Sequence, residues 1–168
     1  NSAEITAEMI PDDALRAKII EIVGGNTIGD LMAYEGTLDL SDLGITNLKG
    51  LELVTGATAI DLSGNTEITA IQSGTFSSMA NLSELNISGM SGLKIFDISN
   101  TSVEKITCND PEALTSIVNA DVSGCRLDLS EGTPEREFVD AVAAMTADKE
   151  DIVEAAPDVT NIASTAKI

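Results

Sequence analysis

The sequence predicts a right-handed α/β solenoid of about four or five short repeats, with a parallel β-sheet on its concave face and a helical cap at each end. Two observations support this prediction. Short segments with apolar residues at alternate positions recur in the middle of the chain, 22 residues apart from Leu38 to Ile60 and 25 residues apart from Ile60 to Leu85. Both flanks instead place apolar residues at helical spacing. Because each repeat is too short to bury its own apolar face, it must share a core with its neighbours.

The repeated segments follow the pattern LxxLxLxxN. One repeat places Ala57, Ile60, Leu62 and Asn65 at the four defined positions, and a later repeat ends its pattern on Cys125. Residues 71–82 look like the returning half of a repeat of about 24 residues, in which Phe76 fills the convex side. Over about 90 central residues the chain thus resembles the leucine-rich repeat proteins. The resemblance implies parallel strands whose alternate residues point outward from the concave face.

The register after Leu85 allows two interpretations. The segment at Phe96 begins only 11 residues after Leu85, whereas Ile106 lies 21 residues after it. In one interpretation Phe96 belongs to the returning side and Ile106 to the main sheet. In the other, which we prefer, Phe96 begins a main-sheet strand, because Asp97-Ile98-Ser99 repeats the chemistry of Asp61-Leu62-Ser63. A further strand is predicted at residues 127–130.

Residues 1–35 are predicted to form the front cap. Pro11 suits the first position of a helix, and Gly24 is placed to end it. Leu15, Ile19, Ile22 and Val23 form one apolar stripe along that helix. Thr27 followed by Asp30 predicts the capped start of a second short helix. Residues 10–17, followed by the first repeat, resemble the front cap of bacterial surface leucine-rich repeat proteins of the internalin-like group.

Residues 36–130 are predicted to hold the repeats and residues 131–168 the back cap and tail, all within one domain. A helix is expected from Pro134, with Phe138, Val142 and Met145 on one face. Thr146 is predicted to cap a further helix that carries Ile152 and Val153. The last ten residues are expected to form a final strand or the start of a linker. Since the chain starts at Asn1, without a methionine or an apolar signal segment, we expect it to be part of a longer protein.

The composition excludes several classes of function. The net charge is −19, so the phosphate backbone of a nucleic acid would repel the chain. The sequence contains no histidine, which removes imidazole bases, serine–histidine pairs and histidine-ligated metals. No apolar run approaches the length of about 18 residues that spans a bilayer. Aromatic residues make up only 2% of the chain, which leaves few anchors of the kind that dominate tight interfaces. We therefore expect no enzyme activity and no cofactor.

The outward positions of the strands form the candidate binding surface. They are Asp39, Asp61, Glu84, Asn86, Asp97 and Asp121. The aspartates and Asn86 are predicted to stack into one column, with Asp121 or Asp128 in its last position. Three interpretations remain open for this column. Its aspartates form a recurring structural motif with the following serines, they attract a basic protein surface, or they hold Ca²⁺. Likewise, Cys108 and Cys125 are either free buried thiols or a disulfide pair.

What the family resemblance implies is a non-catalytic recognition or adhesion module of a secreted or surface-exposed bacterial protein. It would bind a protein partner, such as one with a basic surface, through the concave face. The second hypothesis is a structural spacer in a larger surface protein, with no ligand of its own. We expect a monomer that neither binds nucleic acid nor inserts into a membrane.

Overall fold

The computed structural model describes residues 2–147, which form a mixed α/β architecture with parallel strands. The helices are α1 (Asp13–Val23), α2 (Ile28–Ala33), α3 (Ser73–Phe76) and α4 (Pro134–Ala147). The strands are β1 (Gly36–Asp39), β2 (Ala57–Asp61), β3 (Ala70–Ile71), β4 (Glu84–Asn86), β5 (Ile95–Asp97), β6 (Lys105–Thr107) and β7 (Asn119–Asp121). Short 3₁₀ turns cover Leu51–Leu53 and Pro111–Leu114.

The strands form two parallel sheets that the chain visits alternately from β2 onward. One sheet has four strands in the order β1-β2-β4-β6, and the other has three in the order β3-β5-β7. In the four-stranded sheet Leu38, Ile60, Leu85 and Ile106 are successive partners in register. Each of these four side chains is at most 3% exposed. The inward residues of both sheets belong to one continuous hydrophobic core, as the repeat pattern predicts.

The preferred register at Phe96 is wrong, and the other interpretation is correct. Phe96 lies in β5 and pairs with Ile71 and Ala120 in the three-stranded sheet, whereas Ile106 continues the four-stranded sheet. The preference rested on the Asp-x-Ser chemistry. That chemistry occurs in both sheets, because Asp61 accepts hydrogen bonds from Ser63, and Asp97 from Ser99, with the same geometry. The motif therefore marks the end of a strand and not the sheet to which the strand belongs.

The strand expected at residues 127–130 is also absent from the described part of the chain. The hydrogen bonds of its Asp-x-Ser motif are nevertheless present, since Asp128 accepts from the Ser130 N–H at 3.0 Å and from its hydroxyl at 2.6 Å. Arg126 donates its N–H to the Val103 carbonyl at 3.0 Å, which joins this segment to the chain just before β6. The pairing ends there.

Asn65 ties two successive repeats together from inside the core. It is fully buried, and its Oδ1 accepts the N–H groups of Leu43 (3.2 Å) and Ile45 (3.0 Å). Its Nδ2 donates to the carbonyls of Leu40 and Leu62, both at 2.9 Å. Four backbone groups outside the strands thereby gain hydrogen-bond partners, which buried backbone groups require.

The front helices form much as predicted. Asp12 caps α1 by accepting the Leu15 N–H at 3.0 Å, so Pro11 lies just before the cap and not at the first helical position. The other carboxylate oxygen of Asp12 accepts the Thr46 N–H at 2.8 Å, which fixes the helix to the first repeat. Thr27 and Asp30 form the predicted reciprocal capping box.

The back helix α4 covers the edge of the four-stranded sheet at β6. Thr133 caps it by accepting the Arg136 N–H at 3.1 Å, and Phe138 and Val142 are buried as predicted. The buried Glu135 places Oε2 at 3.2 Å from the Ile106 N–H. A side-chain carboxylate thus occupies the place that the carbonyl of a further strand would take. Thr146 lies inside α4, where its hydroxyl donates to the Val142 carbonyl.

The further helix with Ile152 and Val153, and the expected final strand or linker, lie outside the described residues. Within residues 2–147, no helix combines the length and the apolar composition needed to cross a membrane.

Asn65→Ala is expected to lower the free energy of unfolding by about 3 kcal/mol, because it leaves buried backbone donors and acceptors without partners. Urea unfolding followed by circular dichroism measures this change. Asn81→Ala, at an exposed position, is the matched control and should change stability by less than about 0.5 kcal/mol. Equal losses in the two variants would contradict the role assigned to Asn65.

Glu135→Ala is expected to cost about 1–3 kcal/mol and to speed hydrogen exchange at the Ile106 amide, because that N–H loses its buried acceptor. Glu135→Gln keeps an acceptor oxygen and should stay closer to the wild type in both measurements. If the Ile106 amide remains equally protected in Glu135→Ala, the carboxylate does not cap the strand edge.

Candidate functional site

The outer face of the four-stranded sheet is the candidate site, and we call it the sheet face. Its outward side chains lie in two rows across the strands, set by the parallel register. One row contains Thr37, Ala59, Glu84 and Lys105, and the other contains Asp39, Asp61, Asn86 and Thr107. All eight residues are exposed or half-buried. The sheet therefore presents a mixed polar surface with an excess of carboxylates.

The predicted single column of acidic residues is wrong. Asp39, Asp61 and Asn86 are successive partners in the four-stranded sheet, but Asp97 pairs with Asp121 in the three-stranded sheet. The error follows directly from the register assigned to Phe96. Asp121 is also only 8% exposed, so it offers little surface to a partner.

The aspartates of the sheet face each form a local hydrogen-bonded turn. Asp39 Oδ1 accepts the N–H of Ser41 at 3.1 Å and its hydroxyl at 2.6 Å. Asp61 accepts from Ser63 in the same way, at 2.9 and 2.6 Å. These are the hydrogen bonds to adjacent serines that the structural interpretation of the motif expects. In each case the contacts engage Oδ1 and not Oδ2.

Glu84 occupies the middle of the sheet face. Its register partners are Ala59 on one side and Lys105 on the other. The Lys105 Nζ lies 3.9 Å from Glu84 Oε1, and both side chains are more than half exposed, at 69% and 55%. An exposed ion pair of this kind contributes at most about 1 kcal/mol. Glu84 therefore remains able to exchange Lys105 for a cation on another molecule.

A shallow depression of about 220 Å³ lies over Ala59, where the small side chain leaves space on the sheet face. Thr37, Asp61, Glu84, Asn86 and Thr107 also line it. Of these positions, Thr37, Ala59 and Thr107 were not identified from the sequence. The alternation of the strands could have indicated Thr37 and Ala59, because each lies two residues before a candidate aspartate and so shares its face.

A larger groove lies beside the sheet face, between β6 and the first turn of α4. Its volume is about 660 Å³, and Glu84, Lys105, Thr107, Glu135 and Glu137 are among its lining residues. Sequence reasoning placed Lys105, Glu135 and Glu137 at no site. Their proximity depends on how α4 packs against β6, which no local pattern specifies.

The calcium interpretation finds no support in the described part of the chain. Within residues 2–147, no three acidic or thiol side chains come close enough together to hold a metal ion. The aspartates are divided between the two sheets, and each directs Oδ1 to the serine of its own turn, so they do not converge as Ca²⁺ ligands must.

Both cysteines are free and half-buried, so the disulfide alternative is wrong for this structure. Burial raises the pKa of the Cys108 and Cys125 thiols, which are therefore protonated at neutral pH and unsuited to nucleophilic chemistry. Cys125 occupies the position that Asn65 holds in its own repeat, and its thiol donates to the Ile98 carbonyl at 2.9 Å. The thiol thus supplies a hydrogen bond to a backbone carbonyl, as the Asn65 side chain does in its repeat.

The hydrogen bonds from Ser41 lower the pKa of Asp39 below its usual value, the hydroxyl having the larger effect and the N–H the smaller. A carboxyl group whose pKa is lower in the folded state stabilises the fold above its unfolded pKa of about 3.9. That stabilisation is lost as the pH falls through the folded value.

Ser41→Ala is therefore expected to raise the pKa of Asp39 towards about 3.9 and to reduce stability more at neutral pH than in strong acid. Carbon-detected NMR titration of the Asp39 carboxylate measures the shift. Ser41→Thr keeps the hydroxyl and is the control. An unchanged Asp39 pKa in Ser41→Ala would exclude the serine hydroxyl as a cause of the lowered value.

Comparison with known proteins identifies the family to which this chain belongs. Residues 10–125 match the family model described as the leucine-rich repeat (LRR) domain of endo-beta-N-acetylglucosaminidase EndoS. The chain is 32% identical over 131 residues to endo-beta-N-acetylglucosaminidase EndoSd of Streptococcus dysgalactiae, an alignment that covers 77% of this chain. It is 30% identical over 159 residues to endo-beta-N-acetylglucosaminidase EndoS of Streptococcus pyogenes serotype M1, which covers 79% of this chain.

The matched regions make up only 15% and 16% of the length of these two relatives. The similarity therefore concerns one part of much longer proteins. It supports the predicted leucine-rich repeats, and it points to the EndoS type and not specifically to internalin-like proteins. The chain belongs to the family of the leucine-rich repeat domain of endo-beta-N-acetylglucosaminidase EndoS.

Proposed function

We propose that this chain is a non-catalytic protein-recognition module that binds a basic protein surface through the sheet face. The observation that carries the proposal is the register of that face. It places Asp39 beside Asp61 and Glu84 beside Ala59, so that the carboxylates of Asp61 and Glu84 line a shallow depression. Negative charge of this kind speeds the approach of a basic protein surface and disfavours binding of an acidic protein.

The overall form that we propose is a right-handed solenoid, with the four-stranded sheet on its concave side and the three-stranded sheet on the returning side. The alternation of the chain between two parallel sheets supports this form. The helices before residue 36 and after residue 130 would be its caps, with the front cap of the internalin-like kind. Capping helices protect the apolar ends that a stack of repeats would otherwise expose.

We further propose that the module belongs to a secreted or surface-exposed bacterial protein of the EndoS type, in which another region carries the catalytic activity. The names of the two streptococcal relatives support this context. In such a protein the module would act in recognition or adhesion, and it would contribute no residue to catalysis. A monomer remains the expected state.

A structural spacer is the second candidate function. The observation in its favour is that Asp39 and Asp61 each use Oδ1 to close a local turn, which alone can account for the recurring motif. A spacer needs no partner on the sheet face. The two hypotheses therefore differ in whether the charge of these residues affects binding.

The Asp39→Lys/Asp61→Lys double variant is expected to bind a basic partner at least about tenfold more weakly than the wild type at low salt. Partners would be captured from host and bacterial envelope extracts, identified by mass spectrometry and remeasured as purified proteins. Asp97→Lys is the matched control, because Asp97 makes the same serine contacts but lies on the other sheet.

The double variant Asp39→Asn/Asp61→Asn keeps the Oδ1 acceptor and removes only the charge, so it should weaken binding to a smaller degree. High salt should weaken wild-type binding as well, because screening shortens the range of the attraction. Capture of no reproducible partner would favour the spacer. An equal loss of binding in Asp97→Lys would contradict the sheet face as the binding surface.

A further inference from the structure

The groove between β6 and the first turn of α4 has an apolar floor held in a fixed position. Ile106 and Phe138 line it and are only 3% and 4% exposed. The ring of Phe138 packs edge-on against Phe96, with 5.5 Å between ring centroids, and Ile106 is fixed in the sheet register. The volume of about 660 Å³ lies within the usual range for small-ligand sites, which is about 300–1,000 Å³.

The charged residues of the groove leave two carboxylates exposed. Glu135 is buried and already accepts the Ile106 N–H. Glu84 and Glu137, on β4 and α4, are exposed on the rim, and Lys105 is the one cation among the residues that line the groove. At 3.9 Å the Lys105–Glu84 pair is long and solvent-exposed, so it does not neutralise the groove firmly.

This combination fits a long cationic side chain better than a small ion or a purely apolar group. The methylene stem of an arginine can lie along the apolar floor while its guanidinium meets the carboxylates on the rim. A guanidinium also presents several N–H donors in one plane, and carboxylates on two different elements can accept them together. Lysine offers only a compact, strongly hydrated charge.

We infer that this groove receives an arginine side chain from the protein partner, with Glu84 and Glu137 as its acceptors. The inference rests on the proposed function, since the groove is continuous with the sheet face through Glu84 and Thr107, which line both the groove and the depression over Ala59. The arginine would thus extend the contact from the sheet to the back helix.

The test uses the whole chain and a blocked tripeptide, acetyl-Leu-Arg-Leu-amide, in an NMR titration at low salt. Millimolar peptide is expected to shift the backbone amides of Ile106 and Phe138 and of their neighbours in the groove. The matched peptide with citrulline, which is nearly isosteric but uncharged, should bind at least about threefold more weakly, because it cannot form charge-assisted hydrogen bonds. Equal binding of the two peptides, shifts elsewhere only, or no shifts would overturn the inference.

Glu84→Gln and Glu137→Gln are each expected to weaken arginine-peptide binding about threefold, and the double variant about tenfold or more. Glu67→Gln, at an exposed position outside the groove, is the control and should leave binding unchanged. Loss of binding in the control to the same degree would show a general effect of net charge and would overturn the assignment.

The two proposals can fail separately. A partner that depends on Asp39 and Asp61 but binds the Glu84→Gln/Glu137→Gln variant normally would leave the proposed function in place and overturn the arginine site. If an arginine peptide binds the groove but no partner binds the sheet face, the arginine site would stand and the proposed function would be overturned.

Discussion

The fold depends on the sharing of one core between short repeats. A strand of two to five residues cannot bury its apolar side chains alone, and each depends on the neighbouring strands of its sheet for both backbone hydrogen bonds and packing. The register that joins Leu38, Ile60, Leu85 and Ile106 shows this dependence directly. Where a turn offers no sheet partner, a buried side chain such as Asn65 supplies the missing hydrogen bonds. The outward side chains do not pack in the core, so the fold places few constraints on them.

At each end of the repeats, a single carboxylate joins a helix to the backbone of a repeat. At the front, Asp12 caps α1 and also accepts the Thr46 N–H of the first repeat. At the back, Glu135 on α4 accepts the Ile106 N–H at the outer edge of β6. Each joins a helix to the repeats through the backbone, a group that every sequence shares. The hydrogen bond at the back fixes the position of α4 against β6, and the groove lies between these two elements.

Most of the fold could be predicted because its signals are local. Alternating apolar residues indicate strands, and the Thr27–Asp30 pair indicates a helix start, whatever surrounds them. The sheet to which Phe96 belongs could not be read from the Asp-x-Ser motif, because the motif closes the same turn in both sheets. The candidate site inherited that error: Asp39 and Asp61 lie together as expected, but Asp97 does not join them. The groove depends on the packing of α4 against β6, a long-range contact that leaves no periodic trace in the sequence.

The carboxylate of Glu135 at the border of β6 has a consequence for the behaviour of the protein at high concentration. An open strand border with free N–H groups invites an identical strand from another molecule, which is a common start of fibrils and precipitates. Here the outward N–H of Ile106 is already engaged by a negatively charged group carried on a helix that lies across the border. A second molecule that approaches this border therefore cannot add a strand to β6, because the Ile106 N–H is already bonded and α4 covers the border.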